Sequence, residues 1–323
     1  MKKRLPSEWE KQEATIVVFP TFSHLDWYHS LSEIQQSYVK FINAIKEFQK
    51  CYVVCDDFDS FKKHFIDFKD IEIINIKTND TWIRDFGAIN VFEDSKLKYY
   101  NFKFNAWGDK FSSNLDNDFN KKFHKKNLVD IDFILEGGSI DSNGKGTLLT
   151  TSKCIYNVNR NSHLTKDEIE KKLINFFDLK KLIVLNHGSL AGDDTDSHID
   201  TLARFIDENT IAYIKCYDKN DEHFEELKKM EDELKKTGFN LVALPIPKAH
   251  YFNDHRLPAT YINFLFLNDA LILPTYQDEK NDNLAFEILS NHISNKKIIK
   301  VDATVFIREH GSLHCASSNM IQN

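Results

Sequence analysis

Several features that would place this chain in a specialised class of protein are rare or missing. Only 10 glycines and 6 prolines occur in 323 residues, and no Pro/Gly/Ser-rich linker separates two halves. This predicts one domain over residues 1–323. No run approaches the roughly 18 apolar residues of a membrane-spanning helix, and the start MKKRLPSEWE lacks the apolar segment of a secretory signal. We therefore expect a cytoplasmic protein without a membrane partner.

Disulfide, metal and nucleic-acid chemistry also find little support. The five cysteines are odd in number and widely spaced, which favours a reducing compartment over a disulfide framework. There is no HExxH or paired CxxC motif, and GKG at 144–146 lacks the spacing of a phosphate-binding loop. We expect no metal and no cofactor. The formal net charge of −7 argues against nucleic acid and is compatible with a small cationic substrate.

What the chain does contain is an alternation of short apolar runs and amphipathic segments. Helices are predicted in residues 31–49, in 165–177 with a Thr165/Glu168 capping box, and in 221–239 with Gly238 as the stop. Residues 261–276 read as a hairpin around Asn268-Asp269. The strand-like runs are 15–19, 51–54, 71–76, 182–185, 211–216, 241–244 and 298–301. This alternation predicts an α/β fold without choosing among α/β architectures.

Residues suited to chemistry are concentrated in four segments: NDTWIRDFG (79–87), EGGSIDSNGKGTLLTT (136–151), GDDTDSHID (192–200) and HGSLHC (310–315). If 198–200 were a strand, His198 and Asp200 would point to the same side. Such a pair could be a base with an anionic clamp, two metal ligands or an exposed polar pair. One cysteine, one histidine and several carboxylates suit a planar guanidinium attacked by a thiolate, because guanidinium N–H groups pair bidentately with carboxylates.

Taken in order, seven segments resemble those of the agmatine deiminases, in the guanidino-group-modifying pentein superfamily. They are SEWEKQEATIVVFP, NDTWIRDFG, FNAWGDK, EGGSIDSNGKGTLLTT with NRN after it, DDTDSHID, YINFLFLNDALILP and LHC. The resemblance extends over nearly the whole chain and implies a pentein α/β propeller, with five β/α modules around a pseudo-fivefold axis. The chain departs from the family at residues 86–88, Phe-Gly-Ala where Gly-Pro is usual, and at 309–312, where glycines are fewer.

The resemblance also implies a role for each catalytic residue. Cys315, carried into a central site by the last strand, would be the nucleophile, and His198 the general acid/base. Asp85 and Asp200 would clamp the guanidinium nitrogens. Glu136 would hydrogen-bond His198 and help to bind the guanidinium. The implied reaction is hydrolysis of agmatine to N-carbamoylputrescine and ammonia through an amidino-cysteine, a step of putrescine and polyamine biosynthesis.

Residues for the rest of the substrate follow in part from its chemistry. Trp82 would line the substrate channel, with Trp107 nearby. Agmatine ends in an amine, which calls for an acidic partner, and Asp194 is the candidate, with Asp193 and Asp196 as alternatives.

Other interpretations remain open from the sequence. An arginine or peptidyl-arginine deiminase would need a cation for a carboxylate, and Arg84, Arg160 and Arg204 are candidates, although structural ion pairing is favoured for each. An amidinotransferase would pass the amidino group to an amine instead of water. A non-catalytic pentein that serves as a binding protein would leave Cys315 dispensable. Whether the protein forms a homodimer is also open.

Overall fold

The computed structural model describes residues 2–323, in which nine α-helices separate short β-strands. Five of the helices have ten or more residues, and the other four have only four or five. In chain order the helices are Leu31–Lys46, Phe58–Lys62, Ile83–Phe86, Ala106–Asp109, Asn114–Phe123, Ser152–Ile155, Lys166–Phe177, Phe224–Leu234 and Glu279–His292.

The strands of residues 2–323 form five sheets of three or four strands and one two-stranded ribbon, Tyr251–Phe252 with His255–Arg256. In hydrogen-bonded order the five sheets are Ser317–Ile321, Gln12–Val18, Lys50–Val54 and Ile71–Ile74; Lys3–Arg4, Ile89–Glu93, Lys96–Lys103 and Leu128–Ile134; Ile140–Ser142, Thr147–Thr151 and Lys181–Leu185; Ala203–Asp207, Thr210–Lys215 and Asn240–Pro245; and Leu265–Phe266, Ala270–Thr275 and Lys297–Asp302.

The same pairing pattern recurs in all five of these sheets. Each contains an antiparallel pair, one strand of which also pairs in parallel with the strand that follows it in the chain. At least one helix lies in each connection between those two parallel strands, because a parallel pair cannot be joined by a tight turn. The chain is therefore an α/β protein built from five related strand–strand–helix–strand units.

The two ends of the chain meet in the first sheet. Ser317–Ile321 pairs antiparallel with Gln12–Val18, which in turn runs parallel to Lys50–Val54. The last strand is buried along its whole length. This pairing holds the chain in place immediately after Cys315, where an unpaired terminus would fray.

Most predicted elements are confirmed, with shifts at their ends. The Thr165/Glu168 capping box is present at the start of Lys166–Phe177, and the hairpin around Asn268-Asp269 pairs Leu265–Phe266 with Ala270–Thr275. The third predicted helix ends at Leu234, before Gly238. The prediction that the last strand carries Cys315 is wrong in detail, since Cys315 lies in the turn that precedes the strand.

Two hydrophobic clusters stabilise these units. The larger one extends from Ala14 to Met320 and joins apolar side chains of four sheets, whereas the smaller one packs around Tyr100, Phe102 and Phe177. In residues 2–323 there is no helix both long and apolar enough to cross a membrane. Several polar side chains are buried as well, among them Glu136, His198 and Asp200, and all three lie outside the β-strands.

Candidate active site

A pocket of about 130 Å³ brings together segments 80–85, 193–201 and 309–315. Seven of the eight residues predicted for the site line it, and the eighth, Glu136, is buried behind His198. The seven are Trp82, Asp85, Trp107, Asp194, His198, Asp200 and Cys315. Gly311 belongs to the same wall, because a Cβ at this position would lie 2.5 Å from the Trp82 ring.

Asn263 holds the turn that carries Cys315. Its side-chain amide donates a hydrogen bond to the Cys315 sulfur at 3.3 Å. Its Oδ1 accepts from the backbone N–H of His314 at 2.9 Å and of Cys315 at 3.3 Å. Asn263 was not predicted from the sequence, where it is a single amide within the apolar run YINFLFL and has no reactive residue beside it.

The Cys315 thiol is protonated in the absence of a cation. Burial raises its pKa well above the usual range, and the nearby carboxylates of Asp200 and Asp85 raise it further. The Asp200 Oδ2 lies 3.7 Å from the sulfur. A positive charge entering between the carboxylates and the sulfur would offset this repulsion and favour the thiolate, which is the nucleophilic form.

Asp85 is held from two sides on the short helix Ile83–Phe86. The Trp107 indole N–H donates to its Oδ2 at 2.9 Å, and the Gly138 backbone N–H donates to its Oδ1 at 2.9 Å. The same Oδ1 is 3.6 Å from His198 Nδ1. Burial raises the pKa of Asp85, while the His198 charge opposes the rise. Trp107 thus orients a carboxylate as well as lining the pocket.

His198 and Asp200 do not lie on a strand, so the alternation of side chains along a strand does not explain their common orientation. His198 precedes the 3₁₀ helix Ile199–Thr201, and both side chains nevertheless face the pocket. Burial alone would lower the pKa of His198, but Asp85, Cys154 and Glu136 outweigh it and hold the pKa well above the usual range. The ring therefore carries a proton that it can donate.

Glu136 does not make the predicted hydrogen bond to His198. Its Oε1 accepts from Arg160 Nε at 2.7 Å, and its Oε2 has no partner within residues 2–323. Cys154, Glu136 and His198 offer ligand atoms within 4.8 Å of one another, but the Arg160 charge beside Glu136 disfavours a metal cation there. The carboxylate is thus held by one oxygen and free at the other.

Three buried polar atoms of the site have no hydrogen-bond partner in the described part of the chain: Glu136 Oε2, His198 Nε2 and Asp200 Oδ1. Buried polar atoms are normally paired, so orphaned ones in a pocket point to a missing group. Two of them are carboxylate oxygens, which accept N–H bonds. A small cation rich in N–H donors would satisfy them.

Three neighbouring aspartates at the pocket mouth differ in what their side chains bind. Asp193 accepts from Thr195 Oγ1 and from the Ser197 backbone N–H, both at 2.6 Å. Asp196 accepts from Arg160 Nη1 at 2.6 Å. Asp194 lines the pocket, and burial raises the pKa of its carboxyl. Asp193 and Asp196 are therefore occupied by structural contacts.

The three candidate arginines are all engaged in ion pairs with carboxylates that do not line the pocket. Arg160 pairs with Glu136, while Arg84 and Arg204 approach the Glu8 carboxylate at 3.7 and 2.8 Å. The preference for structural ion pairing is thereby confirmed. None of the three lines the pocket.

Comparison with known proteins agrees with this geometry. The sequence profile of the Porphyromonas-type peptidyl-arginine deiminase family matches residues 4–320. A cysteine-to-serine variant of C. jejuni agmatine deiminase with substrate bound is 50% identical, with a TM-score of 0.96 over 99% of this chain and 97% of that one. A Legionella pneumophila (strain Paris) protein provisionally assigned as an agmatine deiminase is 32% identical over 96% of this chain and 93% of its own length. A dimethylarginine dimethylaminohydrolase, 12% identical with a TM-score of 0.57 over 96% of this chain and 100% of that one, shares the fold.

Proposed function

We propose that this chain, which belongs to the Porphyromonas-type peptidyl-arginine deiminase family, hydrolyses agmatine to N-carbamoylputrescine and ammonia. One observation carries the proposal. The pocket places a thiol beside two buried carboxylates, and further acids line it, whereas no lysine or arginine of residues 2–323 does. A relative 50% identical to this chain is an agmatine deiminase whose structure contains bound substrate.

Asp85 and Asp200 are the guanidinium clamp in this proposal. Both are buried. The protein holds both oxygens of Asp85, through Gly138 and Trp107, and one oxygen of Asp200, through His314. The unpartnered oxygens of Asp200 and Glu136 accept the remaining N–H groups of the cation. Because these carboxylates are fixed before the substrate arrives, they need no rearrangement and can hold the guanidinium carbon in the correct position relative to the Cys315 sulfur.

In the first half of the reaction, the cation entering beside Cys315 stabilises the thiolate, and the thiol proton passes to water in the pocket. The sulfur attacks the guanidinium carbon and forms a C–S bond. His198 donates its proton to one nitrogen, the C–N bond breaks, and ammonia leaves. An amidino group remains covalently attached to Cys315.

In the second half, His198 is neutral and acts as a base. It accepts a proton from water, and the hydroxide adds to the amidino carbon. The C–S bond then breaks and the hydroxyl proton of the adduct passes to the departing sulfur. Cys315 is thereby restored as a thiol, and the product carries the new oxygen as a ureido group. His198 thus acts as an acid and then as a base. Its acidic neighbours raise the pKa of the ring, so that it is protonated when the first C–N bond breaks.

Asp194 is the proposed partner of the substrate amine. It is free of the side-chain contacts that occupy Asp193 and Asp196. Burial raises its pKa and outweighs the opposing charges of His310 and Lys110, so a further cation beside it would favour the ionised carboxyl. Asp26 and Glu309 line the same pocket. An arginine carboxylate would meet repulsion from this acidic wall.

Replacing Asp194 with asparagine should raise KM for agmatine by about 10- to 100-fold and change kcat far less. A hydrogen bond to a charged group contributes about 1.5–3 kcal/mol, and this one would be made equally in the ground and transition states. Steady-state kinetics with n-butylguanidine, which lacks the amine, provide the control, because its KM should be the same for both proteins. An equal rise in KM for both substrates would contradict the assignment.

The reaction itself is tested by a substrate panel. Agmatine, arginine and a peptidyl-arginine are incubated separately with the protein, and ammonia and ureido products are quantified. We expect ammonia and N-carbamoylputrescine from agmatine, with at least about 100-fold lower kcat/KM for the other two, since discrimination against a substrate that leaves buried groups unpaired is large. Preferential turnover of peptidyl-arginine, the substrate in the family's description, would overturn the choice of agmatine.

The proposal extends to the architecture, the oligomeric state and the cellular location of the protein. The five repeated units would be arranged around a pseudo-fivefold axis as a propeller, in one domain over residues 1–323. This is supported by the pairing of the last strand with the first sheet. The exposed side chains of Phe22, Leu25 and Tyr28 offer an apolar surface for a homodimer. Five buried cysteines without disulfides fit a cytoplasmic role in putrescine formation.

A further inference from the structure

A second histidine, His314, connects the pocket to a buried group of charges behind it. Its Nδ1 lies 2.7 Å from Asp200 Oδ2, and its Nε2 lies 2.6 Å from Glu8 Oε2. Both neighbours are carboxylate oxygens, which accept hydrogen bonds, so both ring nitrogens must donate. The His314 ring is therefore a buried imidazolium, only 2% exposed.

We propose that Glu8 and His314 are positioning residues for the guanidinium clamp. The His314 ring, held by Glu8, would fix the Asp200 carboxylate so that it stays ionised and turns one oxygen to the substrate. The inference rests on the proposed function, because Asp200 needs this orientation only if a guanidinium enters. It gives a role to Glu8 in the opening EWE segment, which the reaction above does not use.

The Glu8 carboxylate is well placed to hold a cationic ring. Arg204 Nη2 donates to its Oε2 at 2.8 Å, and the Phe266 backbone N–H donates to its Oε1 at 2.7 Å. Burial alone would raise the pKa of Glu8, but Arg204, His314 and Arg84 lower it far below its usual range. Glu8 therefore stays charged while fully enclosed.

The charges behind the pocket balance. Three cations, Arg84, Arg204 and His314, face three carboxylates, Glu8, Asp141 and Asp200. A balanced buried group is tolerated, whereas removing one member leaves its partner uncompensated. Asp200 benefits directly: burial would raise its pKa, but the hydrogen bond and charge of His314 lower it. Its second oxygen, Oδ1, has no partner in residues 2–323 and remains available.

The same histidine also belongs to the turn of the nucleophile. The Arg84 side chain donates to the His314 carbonyl, and the Arg84 backbone N–H donates to the Cys315 carbonyl, both at 3.2 Å. Ring and main chain of one residue thus fix the clamp and the sulfur relative to each other. Residues 8 and 314, at opposite ends of the sequence, meet for this purpose.

The kinetic test compares Glu8→Gln and His314→Gln with the parent protein. Both variants should raise KM for agmatine at least about tenfold. His314→Gln should also move the acidic limb of kcat/KM to higher pH, by about one to three units, because it removes a positive charge beside Asp200 and so raises the pKa of that carboxyl. A structural role alone would lower the amount of active enzyme without moving the limb.

Glu10→Gln is the matched control, since Glu10 lies in the same EWE segment and pairs with Arg4 at the surface. It should leave KM and the pH limb unchanged. If Glu8→Gln behaved like Glu10→Gln, or if His314→Gln lost kcat with an unmoved limb, the positioning role would be overturned. Failure of the parent protein to turn over agmatine would instead count against the proposed function.

A measurement on the parent protein does not depend on activity or on the folding of Glu8→Gln. With ¹⁵N-labelled histidine rings, NMR should show protons on both nitrogens of the His314 ring, because both face carboxylate oxygens. The signal is assigned by its loss in His314→Gln. The His198 ring, which is also expected to carry two protons, is assigned separately by its loss in His198→Asn. If His314→Gln does not fold, the spectrum of His198→Asn must still show a ring with two protonated nitrogens. A His314 ring with one protonated nitrogen would overturn the inference.

Discussion

Replacing Cys315 with serine should lower the rate of ammonia release from agmatine by about 10⁴-fold or more, the scale of loss seen when a covalent nucleophile is removed. A serine hydroxyl is far less acidic than a thiol, the His198 ring in the same pocket is already protonated, and the surrounding carboxylates of Asp85 and Asp200 disfavour any oxyanion. The clamp itself is unchanged by the substitution. Agmatine should therefore still bind, with an affinity within about tenfold of the parental KM.

Two measurements separate loss of chemistry from loss of binding. Ammonia release reports the first, and quenching of tryptophan fluorescence by agmatine reports the second, because Trp82 and Trp107 line the pocket. Cys216→Ser is the matched thiol control, since Cys216 is buried outside the pocket and bonds only the Asp218 carbonyl. Comparable turnover by Cys315→Ser and the parent would place the nucleophile elsewhere.

The parts of the site that sequence could predict are those that lie in short polar segments. His198, Asp200 and Cys315 stand out because charged or reactive side chains follow one another within a few residues. Residues 198–200 do not form a strand, yet both side chains line the pocket, His198 from the residue before a 3₁₀ turn and Asp200 from within that turn.

The parts that sequence could not supply depend on contacts between distant segments. Asn263 holds the Cys315 turn from 52 residues away, and Glu8 reaches His314 across 306 residues. Periodicity reports local structure, so it carries no signal for such pairs. The expected bond from Glu136 to His198 failed for a related reason, because Arg160 binds one oxygen of that carboxylate.

The fold was predictable to the level of its repeating pattern. The alternation of apolar runs such as 211–216 and 241–244 with the helix between them indicated a parallel pair, and Thr210–Lys215 does pair in parallel with Asn240–Pro245. The antiparallel partner of each such pair was harder to find. Only Leu265–Phe266 was predicted, as part of the hairpin at 261–276. Ile140–Ser142 has three residues, and the partner of Gln12–Val18 comes from the far end of the chain.

The second large effect is expected from Gly138→Ala, which should reduce kcat/KM for agmatine by about 10- to 100-fold. A Cβ at this position would lie 2.7 Å from His198 Nδ1, 2.8 Å from Asp85 Oδ1 and 3.1 Å from Asp200 Oδ2. These are the three groups between which the guanidinium would bind. Overpacking of this kind costs about 1–3 kcal/mol, and the atoms it displaces here are catalytic.

The backbone of Gly138 makes this substitution informative. Its φ is outside the left-handed region, so alanine is allowed there, and the added methyl group alone should cause the loss. Gly238→Ala is the matched control, because it should lower stability without changing kcat/KM. Gly238 has a φ of +86° and no atom within 4 Å of a Cβ, so alanine should lower the free energy of unfolding by about 1–2 kcal/mol and leave kcat/KM unchanged.

Thermal unfolding and steady-state kinetics on the two variants distinguish the alternatives. A normal kcat/KM for Gly138→Ala would mean that the space between His198, Asp85 and Asp200 is not where the guanidinium binds. A lowered kcat/KM for Gly238→Ala would mean that stability alone limits the assay. Loss of kcat/KM in Gly138→Ala but not in Gly238→Ala, with both variants destabilised, would place the EGG segment beside the bound substrate.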